Sequence, residues 1–313
     1  MPFNQKTVFI LGAGSSAAFP LGLELIRNII SDDSIFTSMG LDLLREAGIT
    51  QVDYRGFISQ LRYADPNSID AFLEENPDLV EIGKFAIAYQ LLKREDELDL
   101  FPPKSEMNNW YKKLADALGI DKNGKPSQNE LKIFTYNYER SLEHYLTRVI
   151  QHRMRIDENE AREIREKVPI YHLHGSLGSL SPQEQNFRAY TSDTSWGSLK
   201  VAAGSLRIIS EQSDDYSCGD QLRTAFSEAE KIFFLGFGYH NVNMRRLMSA
   251  GLREKLEKKG EAKIIPLRYQ IHDIFWKKIL KNQFESLLQD TGELSYGYGI
   301  SDYLIAYGFE NND

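Results

Sequence analysis

The sequence predicts an α/β protein: a doubly wound parallel sheet with a helical insertion after the first βα unit. Three observations lead there. Short apolar runs at Val8–Leu11, Leu131–Tyr136, Pro169–Leu173, Lys231–Leu235 and Ala262–Leu267 alternate with stretches of helical spacing, the pattern that covers a parallel sheet on both faces. The first run passes directly into Gly12-Ala13-Gly14-Ser15-Ser16-Ala17, the strand–glycine turn–helix opening of Rossmann-like sheets, with Ala in the third slot. From about 41 to 119, by contrast, helical spacing continues with no convincing strand, more chain than one crossover requires.

Taken in order, Val8 to Leu11 is unbroken and apolar, as suits a strand buried on both faces. Gly12 and Gly14 carry no Cβ, so the backbone can turn sharply and approach a neighbour closely. Leu23, Ile26 and Ile30 have helical spacing. Strand, turn and helix N-terminus are therefore expected to present free N–H groups of Gly12, Ala13, Gly14, Ser15 and Ser16 to a phosphate. A dehydrogenase would place an acidic residue about 20 positions on, at the end of a second strand. Asp32 stands at that distance, but in the polar stretch Ser31–Ser34, which argues against an ordinary oxidoreductase.

Helices are expected at 41–47 and 54–63, and across Ser68–Lys93 with a break at Pro77. Ser68 serves there as N-cap with Asp70 in the first turn. Met107–Leu118 is a further amphipathic helix, and the turn-rich Asp121–Pro126 closes the insertion. Helices at Glu139–Gln151, at the charged and solvent-facing Asp157–Lys167, at Gln221–Glu230 and from Asn243 onward follow the later strands. Between Gly178 and Gln221 the pattern is weak, with a short strand near Phe187–Thr191. The Gly, Ser and Pro content of Gly178–Gln185 predicts a mobile loop. The whole chain reads as one domain, with the Tyr296–Gly299 tail unexplained.

Composition narrows the function. The chain has 313 residues, 42% hydrophobic and 26% charged, as in a soluble globular protein. A net charge of −8 is opposite in sign to that of unspecific nucleic-acid binders. The single cysteine, Cys218, excludes an internal disulfide and a thiolate zinc cluster. No apolar run approaches the ~20 residues that span a bilayer, and the first strand follows the N-terminus too closely for a secretory leader. The expected compartment is the cytoplasm, without membrane contact.

Ligands of open parallel sheets bind beyond the carboxyl ends of the strands, and there the polar residues and glycines collect. Besides Gly12–Ser16 these are Thr135-Tyr136-Asn137-Tyr138-Glu139, His172-Leu173-His174-Gly175, and Gly236-Phe237-Gly238 with His240 and Asn243 behind. Taken alone, Asn137 reads more readily as an N-cap of the next helix. His174 is as readily a satisfied strand-end histidine. Alternation sends His172 and His174 to one face, yet no third metal ligand accompanies them and no metal is expected. Four strand ends agreeing is the stronger signal.

In this order, the motifs resemble the sirtuin superfamily, in its bacterial sirtuin-like branch. They are Gly-Ala-Gly-x-Ser at Gly12–Ser16, Thr-x-Asn-x-acid at Thr135–Glu139, His174-Gly175, and the glycine turn Gly236–Gly238 with Asn243 downstream. Ser68-Ile-Asp70-x-Phe-Leu73 is similar to the helical insertion of these relatives. The four-cysteine zinc module of the deacetylase branch is missing. Phe19-Pro20-Leu21-Gly22 replaces that branch's Pro-Asp-Phe-Arg, Tyr136 its Gln, and Glu139 its Asp.

The resemblance implies hydrolysis of NAD⁺ to nicotinamide and ADP-ribose, in bacterial antiphage defence, often with a companion protein and as part of an oligomer. It makes Asn137 and His174 the catalytic pair, with Asn137 holding a water or ribose hydroxyl and His174 acting as general base. It gives Gly12, Ala13, Gly14, Ser15 and Ser16 to the pyrophosphate, with Thr135 also on the dinucleotide. Glu139 falls to the carboxamide, and Gly236, Gly238 and Asn243 to the adenosine half. Two other readings stay open: an NAD or ADP-ribose sensor without catalysis, and an NAD-dependent deacylase.

Overall fold

The structure is a computed structural model that describes residues 5–16, 19–101, 110–120, 130–208, 218–258, 263–267, 273–282, 284 and 300. Ala17, the Asp121–Pro126 turn and the Tyr296–Gly299 tail lie outside the described residues. The strands are β1 (Thr7–Leu11), β2 (Leu131–Thr135), β3 (Ile170–His172), β4 (Lys231–Leu235) and β5 (Lys263–Pro266). Helices α1 (Gly22–Ser31), α2 (Ser38–Glu46), α3 (Gln51–Ala64), α4 (Ile69–Glu75), α5 (Val80–Leu92), α6 (Glu97–Leu100) and α7 (Trp110–Ala117) separate β1 from β2. Helices α8 (Ser141–Met154) and α9 (Glu158–Arg165) follow β2, and α10 (Trp196–Ser205) and α11 (Gly219–Glu228) follow β3. After β4 come α12 (Asn241–Leu247) and α13 (Arg253–Glu257), and after β5 comes α14 (Asp273–Asn282).

The five strands run parallel in the order β3-β2-β1-β4-β5. Chain order reverses on either side of β1, so Leu11 lies between Thr135 and Leu235 at the switch point. All of β1 is buried, and strict alternation divides its side chains. Phe9 and Leu11 join Ile133, Phe233 and Ile265 in a core covered by α7, α8 and α9. Val8 and Ile10 join Phe134, Ile232 and Phe234 in a second core with α11, α12 and α13. Two covered faces make the sheet doubly wound, as the apolar runs predict.

A third core belongs to the helices. α5 is buried along nearly its whole length, and a helix apolar all round must be covered on every side. α1, α2, α3 and α4 supply part of that cover, and α10 supplies the rest through Leu199 and Ala202. This helical body therefore differs from the 41–119 stretch that the sequence outlines. It draws in α1 and α10, while α7 turns away and packs Trp110, Tyr111 and Leu114 against α8 on the sheet side.

Local corrections follow from packing. α10 was invisible as a helix, and the strand expected near Phe187–Thr191 is only an isolated bridge from Ser179 to Phe187. α8 begins at Ser141 rather than Glu139, and α12 at Asn241 rather than Asn243. α9 is not wholly solvent-facing, since Ala161, Arg162 and Ile164 are buried. Ser68 holds the N-cap position of α4 without a side-chain cap bond. Among the described residues no helix is long and apolar enough to cross a membrane.

Candidate active site

At the switch point the two glycine turns lock together. Gly14 N–H donates to the Gly236 carbonyl at 3.0 Å. A Cβ on Gly236, whose φ is +60°, would stand 2.0 Å from Ser15 N, and one on Gly12 would stand 2.7 Å from Gly236 O. These glycines are required by backbone-to-backbone packing. The expectation of a free amide cradle is corrected here: Gly12 N–H donates to Leu235 O, Ser15 N–H to Gly12 O and Ser16 N–H to Ala13 O. Nor does the turn open directly into a long helix, because Ala13–Ser15 is one 3₁₀ turn and α1 begins only at Gly22.

The end of β2 carries the polar centre. Thr135 is buried and its Oγ1 accepts from Asn137 N–H at 3.0 Å, which turns the chain out of the strand. Asn137 does not cap α8, whose N-cap is Arg140. Its Nδ2 instead donates to Ser16 Oγ at 2.9 Å and Ser15 Oγ at 3.2 Å. Glu139 Oε1 accepts from the Ser16 hydroxyl, and its Oε2 accepts from Ser141 N–H at 2.6 Å. With Nδ2 turned to the serines, Oδ1 is the Asn137 atom left for a ligand. Trp110 Nε1–H fixes the same loop by donating to Ser15 O at 2.8 Å.

A cleft opens at this point. Ala13, Ser16, Asn137 and Glu139 line it on the sheet side, and Phe19, Leu25, Leu91 and Asp70 from the helical body. Apolar walls with a few convergent polar groups suit a small organic ligand. Tyr138 also lines the cleft and donates its hydroxyl to Asp70 Oδ1.

His174 is placed differently. It is 2% exposed, outside the cleft lining, with the Tyr136 ring edge-on at 5.1 Å and the Tyr138 ring tilted at 6.0 Å. Its Nε2 is buried without a hydrogen-bond partner. Burial pushes its pKa below the usual histidine range; the nearby Asp70 charge opposes that push and Arg246 adds to it. The imidazole is thus neutral near pH 7, able to accept a proton. Of the β4 group, Gly236 packs against the first loop, Gly238 lies beside the His240 ring, and Asn243 keeps a buried, unpartnered Oδ1. None of the three lines the cleft.

His172 belongs to the framework of the site. Its Nε2 meets Glu143 Oε1 at 2.5 Å and its Nδ1–H donates to the Asn137 carbonyl at 2.8 Å. Burial pulls its pKa down, but the Glu143 charge and hydrogen bond, with the Asn137 carbonyl, outweigh burial and hold it above the usual value. Among the described residues no three or more His, Cys, Asp and Glu side chains are grouped to share a metal ion.

Sequence reasoning missed a buried ionic group beside the site. Glu95, fully buried, takes Arg140 at 3.0 Å and 2.6 Å through two nitrogens, and also pairs with Arg188. Arg140 donates on to Gly178 O, Ser179 O, Arg188 O and Ala189 O, and Arg188 to Leu177 O and Thr191 O. The Gly178–Gln185 loop is therefore pinned at its base, against the expectation of mobility. Only the charge of the three residues was visible beforehand, not their burial.

Residues 131–287, from β2 past β5, match the SIR2-like domain over half of the chain. The chain belongs to the SIR2-like family. Membership carries an NAD-related activity in general. The matched segment holds the candidate residues Asn137, Glu139, His174, Gly236 and Asn243, while Gly12–Ser16 and Asp70 come from the chain before it. Comparison with curated proteins gives no match.

Proposed function

We propose that the protein hydrolyses NAD⁺ to nicotinamide and ADP-ribose. The observation that carries this reading is that Asn137, which lines the cleft, and a buried, neutral, unpartnered His174 imidazole both lie just past the carboxyl ends of the paired strands β2 and β3. Nicotinamide leaves as a neutral molecule, so no acid is needed at the leaving group. The protein has to orient the ribose, stabilise the positive charge at its anomeric carbon and direct water to it. Asn137 Oδ1, fixed by Ser15, Ser16 and the His172–Glu143 pair, would hold a ribose hydroxyl or the water. His174 Nε2 would take the water's proton, once Tyr138 yields access. Glu139 and Ser16 would meet the carboxamide in the cleft.

The dinucleotide fits only in part as the sequence suggests. The apolar walls and Asn137 suit the nicotinamide ribose. The pyrophosphate would take its donors from groups other than the N–H groups of Gly12, Gly14, Ser15 and Ser16, which already serve the fold. Gly236 would act by shaping the first loop. Gly238 and Asn243 remain the proposed adenosine side, where the unpartnered Asn243 Oδ1 is an acceptor.

The test is nicotinamide release from NAD⁺ by the purified protein, by chromatography. Asn137→Ala and His174→Ala should each lower turnover by about 10²–10⁴-fold, the usual contribution of a positioned acid–base group. Turnover within about tenfold of wild type would remove that residue from the mechanism. Tight NAD⁺ binding without nicotinamide release would favour a sensor. The biological setting implied by the resemblance, antiphage NAD depletion controlled by a companion protein or by assembly, is proposed on the motifs alone. Turnover per site, across protein concentration and with the neighbouring gene product, tests it.

A further inference from the structure

The sequence places Asp70 in the first turn of a helix, within the stretch similar to the relatives' helical insertion, and the fold brings it into the candidate site. It stands in the first turn of α4, on the helical body, and lines the cleft with Asn137 and Glu139. The cleft also has apolar walls, from Phe19, Leu25, Ile69 and Leu91, and a second carboxylate in Glu139. Tyr138 donates to Oδ1, which leaves Oδ2 as the oxygen a ligand can meet. Its charge is felt by two histidines on separate elements, His174 after β3 and His240 before α12. Asp70 is partly exposed in the cleft, and its partner Tyr138 is neutral, so the carboxylate's charge is left for a ligand to answer.

We propose that Asp70 is a substrate-facing residue whose carboxylate selects the cationic, oxidised dinucleotide and stabilises the positive charge that moves onto its ribose. This rests on the NAD⁺ hydrolase reading. In that reaction the bond between the anomeric carbon and the pyridinium nitrogen breaks, with its electron pair going to nitrogen. Nicotinamide becomes neutral and the ribose takes the positive charge. Water oxygen then bonds to the anomeric carbon and its proton passes to His174. The positive charge moves only from the ring to the sugar, so one fixed carboxylate serves both ends of the step. The reduced dinucleotide has no charge on its ring and gains nothing from Asp70.

The experiment compares wild type, Asp70→Asn and Tyr138→Phe by calorimetric titration with NAD⁺ and NADH, and by NAD⁺ turnover. Asp70→Asn keeps an oxygen to accept from Tyr138 and loses only the charge. It should lower kcat by about 10²-fold and abolish a preference for NAD⁺ over NADH that wild type shows. Because the Asp70 charge favours protonated His174, the acid limb of kcat/KM should also move to lower pH. Tyr138→Phe should keep the NAD⁺ preference. Asp70→Asn with unchanged turnover and unchanged preference overturns the proposal. So does equal loss of turnover and melting temperature in both variants, which would make Asp70 a clasp for α4. If wild type releases no nicotinamide, the hydrolase reading fails. The NAD⁺ preference, present in wild type and absent in Asp70→Asn, would still uphold the role of Asp70, and its absence from wild type would overturn it.

Discussion

Replacing Glu95 by Ala isolates two buried cations at once. Glu95 and Arg140 are 0% and 2% exposed at their side chains, and Arg188 is 4% exposed. Burial lowers the pKa of both arginines to about 10, so both remain charged near neutral pH. Removing one partner of a buried pair costs about 3–5 kcal/mol, because the remaining charge stays desolvated. The carbonyls of Leu177, Gly178, Ser179, Arg188, Ala189 and Thr191 still accept from the guanidinium groups. They prevent the cost from doubling. At roughly 2 °C per kcal/mol in a chain of this size, the melting temperature should fall by about 6–10 °C. Glu95→Gln keeps an acceptor and should fall by about half as much. Thermal and urea unfolding measure both. A Glu95→Ala protein melting within about 2 °C of wild type would refute the reasoning, for the ionic group would then be dispensable.

Two other perturbations follow from the same contacts. Gly236→Ala sets a Cβ against Ser15 N in a left-handed conformation, and should cost at least about 2 kcal/mol; Gly56→Ala, in open space within α3, should stabilise by about 0.5–1 kcal/mol, both read by urea unfolding. The raised His172 pKa makes its pairing with Glu143 fully stabilising below the unfolded value of about 6.5, and that stability is lost as pH rises through the folded value. Melting temperature should therefore decline over that window in wild type and less in His172→Gln; equal slopes would remove His172 from the linkage.

The sheet was legible because strands buried on both faces must be apolar throughout, and Val8–Leu11 and Lys231–Leu235 are. The end of β2 was legible because Thr135, Asn137 and Glu139 interrupt such a run. What was not legible depends on partners distant in the chain. α10 is rich in glycine and serine and gains its place from α5. Glu95, Arg140 and Arg188 look like surface charges until the fold buries them. Gly12 and Gly14 announced a tight turn, but the sequence could not say that their close neighbour is Gly236.

That distance in sequence also decides how the site is held. Asn137 is positioned from the first loop by Ser15 and Ser16, and from α8 by Glu143 acting through His172. The first loop is fixed by Trp110 of α7 and by Gly236 after β4. α8 is anchored at its N-cap, Arg140, by Glu95 after α5. Asp70 of α4 closes the set through Tyr138. Each support is a buried or partly buried polar bond, and losing one member of such a network costs more than its own contact. Displacement of the helical body relative to the sheet would thus act on Tyr138 through Asp70, and in the proposed reaction the insertion would be more than a cover.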